Sequence, residues 1–299
     1  MKILINRKPI DGPWGGGNLL VSALCAGLKA RGHNVTHNLE NDIDLIFMQD
    51  PRYSDLGISI NEIIKYKNHF PNTKIVHRVN ECDARKGTLD MDDLLLACSR
   101  HTDLTVFVSK WMKNYHLEKG WKCKKSSVIY NGVNKEHFCE SKQKIDNSKV
   151  NIVTHHWSNN RMKGFDVYEA IDRFVDNHPE FTFSYIGREL GTFKNAKIVS
   201  PLHGAELGKE LSKYDVYVSG SLFDPGPNHI LESIASGIPT YVISKGGGSV
   251  EFAGKDHTFD SIEDLIRILQ TKKYTKNSLE VRSWEACVES YICAFTSLV

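Results

Sequence analysis

Short apolar runs alternate with helix-period segments along this chain, and the alternation stops once and then restarts. Runs at 1–6, 43–48, 74–79, 104–109 and 128–130 read as strands, and 18–31, 90–101 and 110–119 read as helices. The stretch 140–149 (ESKQKIDNSK) is polar and reads as a linker. After it, strands at 150–154, 182–186, 216–219 and 240–243 alternate with helices at 164–177, 205–213 and 228–236, and the chain closes in a helical segment at 279–295. Strand–helix alternation of this kind specifies parallel, doubly wound α/β sheets. Two such domains are expected, 1–145 (with a helix at about 280–299 returning to it) and 146–279. Ligands of these folds bind at the carboxyl ends of the strands.

The length of 299 residues suits two domains that each bury a core. A net charge of +2 gives no case for nucleic-acid binding as the main task. Residues 1–145 hold 22 Lys and Arg against 16 Asp and Glu, whereas the rest hold 16 against 20. The basic first half suits an anionic acceptor, a membrane surface or a merely solvated face. Seven scattered cysteines without a metal spacing, and no secretory signal, point to reduced thiols and a cytoplasmic location. No apolar run approaches the roughly 20 residues that span a bilayer.

The segment with most chemistry is Asp224-Pro-Gly-Pro-Asn-His-Ile-Leu-Glu232, followed by Ser-Ile-Ala-Ser-Gly-Ile-Pro239. Pro227 fits a helix start, and the amides of Asn228 and His229 then lie at its positive end, suited to phosphate oxygens. Glu232, one turn in, is placed to accept hydrogen bonds from two ribose hydroxyls. The same two acids also suit a plain helix cap and a solvated side chain.

This segment resembles the donor-site motif of glycosyltransferase family 4, two acids eight residues apart followed by a small-residue Gly-x-Pro, in a variant with Asp ahead of a Pro-Asn pair. The resemblance implies that Asp224 lies near the transferred sugar and that Glu232 holds the ribose. Arg161-Met-Lys163-Gly164-Phe165 resembles the family's Lys-Gly element, where a basic side chain meets the donor diphosphate. The family's Arg five residues before the Lys is Ser158 here, and Arg161 is its candidate substitute. Three more segments resemble family elements in the same order: Ile129-Tyr-Asn-Gly-Val133, Lys245-Gly-Gly-Gly-Ser-Val-Glu251 and Arg282-Ser-Trp-Glu285. Gly15, Gly16 and Gly17 in Gly12-Pro-Trp-Gly-Gly-Gly17 fall at the family's first glycine loop, near phosphates and acceptor. Asn80 stands where the family often has His. Asn cannot transfer a proton at neutral pH but can bond a sugar hydroxyl.

The implied fold is GT-B, two Rossmann-like domains facing a cleft. The implied activity is metal-independent, retaining transfer of a sugar from a nucleotide-diphosphate sugar, with no cofactor. Asp224, Lys163 and Asn80 are the expected catalytic residues. Gly15, Gly16, Gly17, Arg161, Lys163, Gly164, Pro227, Asn228, His229 and Glu232 are the expected donor contacts. Glu81, Asp83 and Arg85 form a charged loop that suits a glycan, lipid-linked or protein-linked acceptor, or solvent. Two rivals remain open, a nucleotide-sugar epimerase on the same fold and a non-catalytic sugar- or nucleotide-binding protein.

Other signals are weaker. Asp90-Met-Asp92-Asp93 resembles a metal-binding Asp-x-Asp, but acids favour a helix start anyway. His155 and His156 are adjacent on a strand and so point to opposite faces, which excludes a metal pair and leaves one of them for the donor. His77 reads as a core histidine. The run 110–125 carries six lysines with Trp111, Tyr115 and Trp121 interleaved, and suits either a surface helix or peripheral contact with an anionic membrane.

Overall fold

The computed structural model describes residues 1–12, 15–55, 57–140 and 148–299. By its contacts the chain divides into two units, Met1–Gly132 with Arg282–Val299, and Val133–Val281. The division falls at Gly132, ahead of the stretch expected as a linker. Residues 141–147 of that stretch, and Pro13 and Trp14 of the glycine loop, lie outside the described residues.

The first unit runs β1 (Lys2–Ile5), α1 (Gly16–Ala30), β2 (Asn34–Thr36), β3 (Leu45–Met48), α2 (Ile60–His69), β4 (Lys74–Val79), α3 (Asp83–Lys86), α4 (Met91–Ser99), β5 (Leu104–Phe107), α5 (Lys110–Glu118) and β6 (Ser126–Val128). Its sheet has the order β2-β1-β3-β4-β5-β6 with every pair parallel. Helices on both faces explain why β3 reads Leu-Ile-Phe-Met without alternation, for all four residues are buried.

The second unit runs β7 (Val150–His156), α6 (Phe165–Asp176), β8 (Phe181–Gly187), β9 (Lys197–Val199), α7 (Gly204–Leu211), β10 (Val216–Ser219), α8 (Asn228–Ala235), β11 (Thr240–Ile243), α9 (Gly248–Ala253), β12 (Thr258–Phe259) and α10 (Ile262–Thr271). Its parallel sheet has the order β12-β11-β10-β7-β8-β9. Phe165, Tyr168, Ile171 and Phe174 recur at helical spacing on α6 and pack with Phe183 and Tyr185 beneath the sheet.

The final helix, α11 (Trp284–Thr296), belongs to the first unit. Its Cys287, Val288, Tyr291, Ile292 and Phe295 share one core with Leu20, Leu24 and Leu28 of α1. Tyr291 meets Phe47 edge-on at 5.5 Å, a favoured aromatic geometry.

Both sheets are doubly wound and parallel, as expected. Connections leave the second sheet in opposite directions from β7, toward β8 on one side and β10 on the other. Its topological switch point therefore lies between β7 and β10, where such sheets open a crevice for ligands.

Candidate donor site

Two loops meet at that switch point. After β7 the chain makes a 3-10 turn, Arg161–Lys163, capped by Asn160 Oδ1 on the Met162 amide at 2.8 Å. The turn ends at Gly164, with φ of 97°, and a Cβ there would collide with the Gly220 backbone. Only glycine meets both demands. The Leu222 amide, from the loop after β10, donates to the Met162 carbonyl at 2.9 Å. These contacts fix the Lys-Gly turn against the segment leading to Asp224.

Lys163 Nζ lies 3.0 Å from Asp224 Oδ2. The Lys163 and Asp224 side chains are 19% and 8% exposed, so the pair is largely out of water. Ser221 Oγ donates to the same Oδ2 at 3.1 Å. The Asp224 backbone is tied to the glycine element as well. Its amide donates to the Gly246 carbonyl at 3.0 Å and its carbonyl accepts from the Gly248 amide at 2.8 Å. Phe223 just before it has φ of 48°, an outlier for a bulky residue that this double anchoring sustains.

α8 begins directly after Pro227 with no side-chain cap and no acid in its first turn. Its positive end is thus not neutralised by an acid in its own first turn. Glu232, one turn on, accepts from His155 Nε2 at 3.0 Å, with the two side chains 12% and 10% exposed. The His155 backbone is held by Tyr217, whose hydroxyl accepts from the His155 amide at 3.1 Å. Burial pushes the Tyr217 hydroxyl well above its ordinary pKa, so it stays protonated.

His156 turns to the opposite face, as strand geometry requires. Its Nε2 and Tyr168 OH share a hydrogen bond at 2.5 Å, and Tyr168 OH accepts from the Gly220 amide at 3.1 Å. The His156 ring lies 4.7 Å from that of His229, whose Nε2 bonds Ser219 Oγ at 3.1 Å. His229 thus sits on α8 but is turned into a buried polar network.

The second unit therefore brings together Lys163, Gly164, Asp224, Pro227, Asn228, His229 and Glu232. Arg161 shares the turn, but its guanidinium is drawn away, to Asp166 at 2.6 Å and Glu169 at 3.6 Å on α6.

The other expected residues belong to the first unit. Gly15 precedes α1, and Gly16 and Gly17 are its first two residues, so the helix starts earlier than its apolar pattern. Asn80 directly follows β4. Glu81 lies between Arg52 and Lys86, each at 3.1 Å. Asp83 is occupied as a cap. Its carboxylate accepts from Thr88 Oγ1 at 2.5 Å and from the Met91 and Asp92 amides at 2.9 and 3.1 Å. Burial opposes the charge, but these bonds outweigh it and hold the carboxyl below its usual range. Arg85 lies in α3 with Asp83.

Asp92, from the Asp-x-Asp signal, accepts from Tyr115 OH at 2.7 Å and pairs with Lys119 at 2.5 Å. Among the described residues no three His, Cys, Asp or Glu form a metal set. Trp121 is buried against Phe107 and His116. Trp121 thus belongs to the core and Tyr115 serves Asp92, while Trp111 is half-buried. No helix among the described residues is long and apolar enough to cross a membrane.

Three partners were not foreseen: Ser221 on Asp224, Tyr168 under Gly220, and Arg188 stacked on Trp157 at 3.8 Å. Trp157 directly follows β7 and Arg188 directly follows the neighbouring β8, a position signal that sequence spacing alone does not rank.

No protein-family model matches the sequence, and no curated protein matches it. Solved structures do match its fold over its full length. A sucrose-phosphate synthase from Thermosynechococcus elongatus superposes with a TM-score of 0.74 at 14% identity, covering 100% of this chain and 99% of that one. HepE from Anabaena, in complex with UDP and glucose, gives 0.73 at 14% identity, covering 99% and 100%. WaaG, a glycosyltransferase involved in lipopolysaccharide biosynthesis, gives 0.64 at 13% identity, covering 97% and 95%. These neighbours are GT-B glycosyltransferases, and the chain has their α/β fold of two Rossmann-like units.

Proposed function

We propose that this protein is a retaining, metal-independent glycosyltransferase that moves a sugar from a nucleoside-diphosphate sugar to an acceptor hydroxyl. The observation that carries this reading is the Lys163–Asp224 pair, 3.0 Å apart at the switch point, beside the uncapped start of α8. It is a fixed cation, a fixed anion and a helix dipole around one crevice, which suits a polarised sugar joined to a diphosphate.

In this reading Lys163 and the α8 amides stabilise charge on the departing diphosphate. Asp224 lies against the sugar, and Glu232 holds the ribose. The diphosphate, leaving from the face that the acceptor enters, helps to deprotonate the acceptor hydroxyl. Catalysis by the protein is then positioning and charge stabilisation, and no side chain need act as a strong base. The similarity in fold to HepE, solved with UDP and glucose, favours a uridine-diphosphate sugar for the first trials. Asn80 and the α1 glycines are assigned to the sugar and acceptor side, and a cytoplasmic glycan, lipid-linked or protein-linked acceptor is in keeping with the basic first unit.

The test is turnover of nucleotide sugars with and without an acceptor panel. Transfer with acceptor, and slow donor hydrolysis without one, is the expected result, lost by at least about 100-fold in Lys163→Ala. Epimerised donor, or nucleotide binding with neither transfer nor hydrolysis, would replace this reading with one of its rivals.

A further inference from the structure

We infer that Arg188, held flat on Trp157, is the second cation of the donor site and binds the diphosphate. The inference rests on the donor reading above and adds a residue that no sequence motif assigned.

A charge balance asks for such a group. Asp224 and Glu232 bring two negative charges to the crevice and Lys163 one positive charge, already 3.0 Å from Asp224. A nucleoside diphosphate adds further negative charge. Arg161 is committed to Asp166 and Glu169 outside the pair. Ser158 is neutral. Lys163 and a helix end alone leave the anionic ligand under-compensated in a partly dry site.

Arg188 follows the strand next to the one that leads to Lys163. β7 and β8 are neighbours, with His156 paired to Gly187, and the Arg188 amide reaches back to the His156 carbonyl at 3.4 Å. Gly187 makes this possible. Its φ is 137°, and a Cβ there would collide with the same His156 carbonyl. The chain thus leaves β8 one strand spacing, about 4.8 Å, from the end of β7. From there the guanidinium lies over the Trp157 ring at 3.8 Å to its centroid. Trp157 is the first residue of the loop that leads to Lys163.

The stack matters because it spends the flat face of the guanidinium on the indole and leaves its N–H edge open. That edge is the fork that bonds phosphate oxygens two at a time. Among the described residues Arg188 forms no ion pair, and the neighbouring Glu189 carboxylate is turned to the Gly191 amide at 2.6 Å. An exposed arginine that is immobilised by an aromatic ring yet has no carboxylate is poised for an anionic ligand.

Calorimetric titration of the full chain with UDP, GDP and ADP, then with the monophosphate and nucleoside of the tightest binder, tests this. Arg188→Ala should weaken the diphosphate about 10- to 100-fold and the monophosphate less, and leave the nucleoside unchanged. Arg188→Lys should recover only part of the loss, because it keeps charge without the stacked fork. Trp157→Ala should move in the same direction as Arg188→Ala. Thermal melts of the variants separate binding from folding, and Arg188→Ala should melt with the wild type. Unchanged diphosphate binding in Arg188→Ala overturns the inference, as does an equal loss for the bare nucleoside. A wild-type protein that binds none of the three diphosphates sinks the donor reading itself.

Discussion

His155 Nε2 lies 3.0 Å from Glu232 Oε2, and this contact joins the end of β7 to the first turns of α8. Both side chains are about nine-tenths buried, at 10% and 12% exposure. The carboxylate therefore has a fixed direction before any ligand arrives. Under the proposed function Glu232 holds the ribose, which would make His155 its positioning residue.

His155→Ala removes that partner and leaves a mostly buried carboxylate without it. A stability loss of about 1–3 kcal/mol is expected, seen as a melting temperature lowered by about 2–10 °C. Nucleotide binding should weaken with it. His155→Gln, which can still donate from a similar place, should recover part of both. A melt and a nucleotide affinity unchanged in His155→Ala would show that Glu232 needs no such support.

Lys163 and Asp224 should behave as one unit. Asp224→Asn removes the charge that Lys163 pairs with, and Lys163→Ala removes the cation from a carboxylate that is 8% exposed and still accepts from Ser221 Oγ. A double-mutant cycle on urea unfolding should return a coupling of about 1–3 kcal/mol, the double variant being more stable than the summed losses imply. Additive losses would mean that the two charges do not sense each other.

The second domain was legible because its chemistry is local. Lys163-Gly164 is a turn that only glycine can close, and Asp224 to Glu232 is a loop running into a helix, whereas the expectation that Lys163 lies beside Asp224 came from the resemblance and not from spacing. Two amphipathic helices, α2 and α10, were missed, although each buries apolar residues at helical spacing. α2 was not read as a helix, although Ser59 and Glu62 form a capping box at its start, with the Ser59 amide on Glu62 Oε2 at 2.9 Å. The edge strands β2, β9 and β12 span only two or three residues each, too few to show a period. Sequence does not reveal Arg52 and Lys86 as partners of Glu81, or Thr88 and the first amides of α4 as partners of Asp83. The pairing of Arg161 with Asp166 and Glu169 was hidden for the same reason, because it depends on the helix beside it.

Acid should destabilise the first unit through His77. Its side chain is fully buried in β4, and neither ring nitrogen has a hydrogen-bond partner. Burial, helped by repulsion from His116, lowers its pKa to about 3. The unfolded chain takes up this proton near pH 6.5, whereas the folded chain refuses it until far lower. Stability is thus intact above pH 6.5 and falls as the pH drops from there toward about 3, by up to about 1.4 kcal/mol per unit. Urea midpoints at pH 7 and pH 4.5 measure this, and His77→Phe should flatten the difference. An equal slope in that variant would assign the acid loss to other groups.

Arg78 ties the last helix to the first sheet. It follows His77 on β4, is 2% exposed, and bonds neutral groups, Gln49 Oε1 at 3.2 Å and Asn131 Oδ1 at 2.9 Å. Its charge is also felt on α11, where it favours the ionised forms of Cys287 and Tyr291, although burial raises the pKa of both. Truncation to Ala would empty a large buried volume and strip two amide acceptors of their donor at once. The expected cost is at least about 3 kcal/mol. Met fills much of the space, so Arg78→Met should lose clearly less, whereas the desolvation of the buried cation disappears in both variants alike. If the two variants unfold at the same urea concentration, packing is not what Arg78 contributes, and its hydrogen bonds to Gln49 and Asn131 carry the whole effect.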